Sequence, residues 1–159
     1  MKAALQFLRD IALMLARVVV GVVMVAHGWH RWQIAGIPEQ VGQLDAAGIG
    51  YSASVVWAVI AFEIIGGILL AFGLATPAVG LALTVMNVGV IVLLRAQNGF
   101  YVYEQGWEYN AVLAAFGLIF LAFGSGRAGL DHLFMRPPND SDELIVDESE
   151  EGRITPQPF

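Results

Sequence analysis

The chain has 159 residues, of which 57% are hydrophobic and only 14% charged, and its mean hydropathy is +0.67. That balance excludes an ordinary soluble domain and a nucleic-acid binder, and the length allows one small bundle without a second folded domain. The formal charge of −6 is unevenly spread, and the lack of cysteine removes disulfides, thiolate metal ligands and dithiol redox chemistry.

Residues 11–29 form the first apolar run, close to the roughly 20 residues a helix needs to cross a bilayer. The run is too long for the core of a secretion signal, and no small-x-small site precedes Arg31, so it is expected to stay as a span. It carries Arg17 in its interior and His27 and His30 one turn apart at its far end. Between residues 34 and 52, Ile37, Val41, Leu44 and Ala47 recur at helical spacing, with Pro38 near the start and Gly48 past the end. This predicts a short amphipathic helix on the extracytoplasmic face after the first span.

The second run, 53–75, contains Glu63, and the third, 77–95, contains Asn87. Only Thr76 and Pro77 separate them, which predicts a tight helical hairpin, with Pro77 in a first turn where its missing N–H removes no helix bond. The fourth run is 108–124. The expected fold is therefore all-α: a polytopic four-transmembrane-helix bundle over residues 1–136. Lys2 and Arg9 precede the first span, and Arg127, Arg136 and Arg153 follow the last, while the loops carry only Arg31 and Arg95. That bias predicts both termini in the cytoplasm. Residues 137–159 are a different material, an acidic cytoplasmic tail with Asp140, Asp142, Glu143, Asp147, Glu148, Glu150 and Glu151. Alone it reads as solvated chain, and it is expected to dock on a protein partner.

A charge in the bilayer interior costs about 3 kcal/mol or more unless paired or hydrated, so Arg17 and Glu63 draw functional interest. At about 1.5 Å per residue, Glu63 and Asn87 lie about 18 and 15 Å from the inner ends of their helices, close enough in depth to touch. Arg17 lies only about 9 Å deep. Two arrangements compete for it, snorkelling to the inner interface or pairing with Glu63, and the pair is preferred. Such a pair can fix helix register or handle protons at a quinone. At the outer mouth, His27, His30, Glu104, Glu108 and Asn110 form the best polar cluster. The H-x-x-H step could share a metal, but two histidines one turn apart are a weak signal and no metal is assigned. The aromatic residues around this mouth, from Trp29 to Tyr109, suit an interfacial belt.

Three motifs in order resemble the DoxX family of bacterial and archaeal membrane proteins. They are Arg17-x-x-x-Gly21 with His27-Gly28, then Glu63-x-x-Gly66-Gly67-x-x-Leu70-x-x-Gly73-x-x-Thr76, and Gly124-x-Gly126-x-x-x-Leu130-Asp131. The family more often shows a lysine after His-Gly, where this chain has His30-Arg31 and keeps the charge through Arg31. The resemblance spans roughly residues 10 to 133 and leaves out the tail. It implies a four-helix subunit of the prokaryotic plasma membrane, working with redox proteins. Some relatives belong to thiosulfate–quinone oxidoreductases, and others to oxidative-stress assemblies with superoxide dismutase and a sulfurtransferase. The expected role is an accessory or anchoring subunit of a membrane redox or respiratory complex. The alternatives are a quinone-interacting oxidoreductase subunit, with a quinone or lipid bound near Arg17, Glu63 and His27, and a small transporter.

Overall fold

The computed structural model describes residues 2–126 and Gly129; the acidic tail and its seven carboxylates lie outside the described residues. All regular structure described is helical. Helix α1 (Lys2–His30) contains no proline and widens into a π-turn at Arg31–Ala35. Gly36, at φ 82°, then turns the chain into α2 (Ile37–Ala46), with a proline in its first turn. Helix α3 (Ser52–Phe72) is interrupted by a second π-turn at Phe62–Gly66. Helix α4 (Thr76–Arg95) ends in a third, at Ile91–Arg95. After a short 3₁₀ turn at Val102–Glu104, α5 (Glu108–Phe123) closes the described chain.

Helices α1, α3 and α4 are each long and apolar enough to cross a membrane; α5 is apolar and shorter, at 16 residues. The hairpin between α3 and α4 turns on residues 73–75, before Thr76 and Pro77, which already belong to α4. The cause is the end of α3. The Leu74 N–H donates to Leu69 O and the Gly73 N–H to Leu70 O, while Gly73 sits at φ 70°. This is the glycine-ended stop in which a left-handed residue satisfies the last carbonyls of a helix.

Glycine pairs set the packing. A Cβ on Gly21 would lie 2.5 Å from Gly67 O, and one on Gly67 would lie 2.7 Å from Gly21 O. Gly80 and Gly117 meet in the same way, each 2.7 Å from the other's carbonyl. Small residues allow such backbone approach between membrane helices. The result is two tight pairs, α1 with α3 and α4 with α5, that touch each other sparingly. Val20, Leu70, Val79, Leu83 and Phe120 fill the space between the pairs near the hairpin turn. Toward the opposite end, the mouth, the pairs separate.

Gly117→Ala should therefore destabilise the α4–α5 seam by about 1–3 kcal/mol, since its Cβ would meet backbone as well as Thr84 Oγ1. Gly89→Ala, whose Cβ would meet nothing within 4 Å, should be neutral or stabilising. Thermal unfolding of the two variants in one detergent checks both expectations.

Candidate functional site

The mouth-end gap between the helix pairs encloses a cavity of about 250 Å³. Its polar lining comes from every helix: His27 and Arg31 from the α1 segment, Gln40 and Gln43 from α2, Glu63 from α3, Asn87 from α4, and Tyr109 and Asn110 from α5. Met24, Val56, Leu83 and Leu113 supply apolar floor and wall.

Glu63, only 5% exposed, is paired with Arg31 and not with Arg17. Arg31 Nε lies 3.0 Å from Glu63 Oε1 and 2.9 Å from Oε2, so a single N–H serves both oxygens. Oε2 is buried and receives no well-directed hydrogen bond among the described residues. Gln40 fixes the arginine: its Nε2 donates to the carbonyls of Arg31 and Gly36, each at 2.9 Å, and its Oε1 accepts from Arg31 Nη1 at 3.3 Å. The helix α2 thus covers the mouth and holds the Arg31 guanidinium over the carboxylate.

The expected Arg17–Glu63 pair fails because of helix register. With Gly21 against Gly67, Gly28 packs on Ile64 and Glu63, and Arg17 lands beside Gly73 near the hairpin turn. Arg17 is 1% exposed there, with its guanidinium lying close to Gly73 and Gly129. Ten helical residues, about 15 Å, separate Gly73 from Glu63.

Asn87 also differs from expectation. It shares the cavity with Glu63, but its Oδ1 accepts from Asn110 Nδ2 at 2.9 Å, and its own Nδ2 donates to Leu83 O. This side chain bridge is a buried polar contact across the α4–α5 pair.

The outer cluster read from the sequence divides. His27 stacks on Tyr109 with ring centroids 5.0 Å apart, closing the side of the cavity between α1 and α5. His30 faces a separate apolar groove with Gly21, Gly67 and Phe72. Glu108 Oε1 accepts the Val102 N–H, and Glu104 lies by Gly99, so both serve the loop. His27, His30, Glu104 and Glu108 therefore do not converge on one point, and among the described residues no three His, Asp or Glu side chains gather as a metal site would need. Missed at sequence level are Gln40 and the role of Arg31 as the partner of Glu63. Arg31 lies one turn beyond His27 on the same helical segment, which is the signal that could have found it.

What the arrangement can do follows from its groups. A cation, four amides and a carboxylate line a mostly apolar chamber large enough for one ring. Donors for a carbonyl and an acceptor for a hydroxyl lie within the same space.

No solved structure matches the chain. A curated relative, the "Putative oxidoreductase CatD" of Bacillus subtilis (strain 168), is 30% identical over 92 residues, which make up 57% of this chain and 65% of that protein. The chain therefore spans less than two thirds of that relative's length. The family model described as DoxX matches residues 12–96, a stretch that holds the Gly21–Gly67 crossing, the Arg31–Glu63 pair, Gln40 and Asn87. That is more than half of the sequence, and the chain belongs to the DoxX family.

Proposed function

We propose that this chain is a membrane-embedded subunit of a redox assembly, and that its cavity holds the ring of a quinone or quinol. The observation that carries this reading is the Arg31–Glu63 pair, set with Asn87, Asn110 and Tyr109 around an apolar chamber inside the helical bundle. A volume of about 250 Å³ is at the small end of ligand pockets, which run from roughly 300 Å³, and suits a single ring. Arg31 supplies donors for a ring carbonyl through its Nη groups, and the Glu63 carboxylate an acceptor for a ring hydroxyl. The related protein's name as an oxidoreductase supports redox work at the same level. Electrons would come from a partner subunit carrying a redox centre; this chain's residues bind the ring and exchange its protons.

In this reading α5 makes a fourth crossing alongside α4, both termini face the cytoplasm of a prokaryotic cell, and the acidic tail at 137–159 docks on a partner protein. The chain thus anchors the assembly as well as holding the ring. A transport path is disfavoured, because it would have to pass the apolar plug of Leu70, Leu83 and Phe120, each 0% exposed.

Quinone titration of the purified chain in lipid nanodiscs tests the reading. The native chain should bind, and Glu63→Gln should bind about tenfold more weakly, the size expected for losing a hydrogen bond to a charged group. Equal binding by the two proteins would count against it.

A further inference from the structure

Val85 and Leu93 lie on the outside of α4, 63% and 60% exposed, yet they line the same cavity as the buried Asn87. Across from them stand the half-buried Val55 and Val59 of α3. A chamber walled by both buried and outward-facing side chains must open between them. The opening follows from the packing. Helices α3 and α4 are joined only by the turn at 73–75, and each is drawn toward a different partner by its glycine contact, Gly67 on Gly21 and Gly80 on Gly117. The hairpin therefore spreads toward the mouth. The other ways out are covered: Gln40 and Leu44 of α2 lie across the top, and the His27–Tyr109 stack closes the side opposite the gap.

The gap is apolar and faces the hydrocarbon, while the polar groups sit deeper inside. We propose that the ligand enters sideways from the bilayer between α3 and α4, and that it is an amphiphile whose apolar tail stays in this gap while its polar ring meets Arg31 and Glu63. This rests on the quinone reading for the ring and adds the route and the tail. Val59 and Gly89 flank the passage. A soluble ligand arriving from the aqueous face would instead have to displace α2, whose Gln40 makes three hydrogen bonds to the Arg31–Gly36 segment.

Gly89 permits a direct test. A Cβ there meets nothing within 4 Å, so a side chain can start into the gap without a backbone collision. Gly42 on α2 is equally open, is exposed and does not line the cavity, so it serves as the control. Equilibrium binding of a decyl-tailed benzoquinone and of its tail-less ring would be measured in nanodiscs for the native chain, Gly89→Phe and Gly42→Phe. Gly89→Phe should weaken the tailed quinone about tenfold and leave the tail-less ring within about twofold. Gly42→Phe should match the native chain with both. Equal affinity of Gly89→Phe and the native chain for the tailed quinone would overturn the route, as would equal losses for the two quinones. If the native chain binds neither, the quinone reading itself falls, and this proposal with it.

Discussion

Arg31→Leu should destabilise the bundle by about 2–4 kcal/mol, and adding Glu63→Leu should recover most of the loss. Breaking a buried pair by removing one partner costs about 3–5 kcal/mol, because the remaining charge has lost its compensation. The Arg31 side chain keeps 35% exposure against 6% for Glu63, so the full figure is reduced. The same asymmetry orders the single variants. Removing the arginine leaves a buried carboxylate without its cation. Removing Glu63 leaves an arginine that still bonds Gln40 and can reach the interface, so it costs less. Two apolar side chains of similar volume need neither partner, which is why the double variant recovers. Thermal unfolding of the two single variants and the double in detergent reads the coupling. Arg17 and Glu63, about 15 Å apart along the bundle, should show additive losses instead. Strong coupling between Arg17 and Glu63, with none between Arg31 and Glu63, would mean that the helix register is wrong.

Gly73→Ala should cost about 2–5 kcal/mol, more than any other single methyl added to the described helix ends. Its φ of 70° places it where a Cβ costs about 1–2 kcal/mol by itself. The new methyl would also run into Arg17 Nη1 and lie 2.8 Å from Gly129 Cα, adding about 1–3 kcal/mol of overpacking. An arginine tip can swing away, but Gly129 Cα is backbone and cannot. The measurement is again thermal unfolding, with Gly48→Ala for comparison. Gly48 has a similar φ of 76° but open space around it, so it should show the backbone cost without the collision. Equal losses at the two positions would remove Arg17 and Gly129 from the explanation.

Much of the fold was legible because the bilayer imposes a simple rule on it. The long apolar runs with Glu63 and Asn87 became α3 and α4 within a few residues of their expected ends. Pro38 and Gly48 bracketed α2 because each does what its backbone allows, a proline at a helix start and a glycine past its end. The partner of Glu63 was not legible from depth counting, since height along a helix says nothing about which neighbour stands at that height. The register lay in the glycines. Setting Gly21 opposite Gly67 on antiparallel helices puts Arg17 near residue 71 and Gly28 near residue 60, close to the contacts found. Arg31 falls opposite residue 57 on that alignment, about 9 Å beyond Glu63, and its long side chain, leaning toward the N-terminus of its helix, reaches back to the carboxylate. The π-turns at Arg31–Ala35 and Phe62–Gly66 left no mark in the hydropathy pattern. Such widened turns often occur at functional sites, and here they hold the two ends of the ion pair.

The central claim is that the Arg31–Glu63 chamber binds a membrane quinone, and the Arg31→Leu/Glu63→Leu variant isolates it because that chain keeps its fold while losing both charges. The most direct measurement is the quinone content of the native chain and of this double variant, each purified from its membrane in mild detergent and extracted for mass spectrometry. The account predicts close to one quinone per native chain and a loss of most of it from the double variant, whose unfolding temperature stays close to the native one. Equal quinone in the two proteins, or none in the native chain, would contradict it.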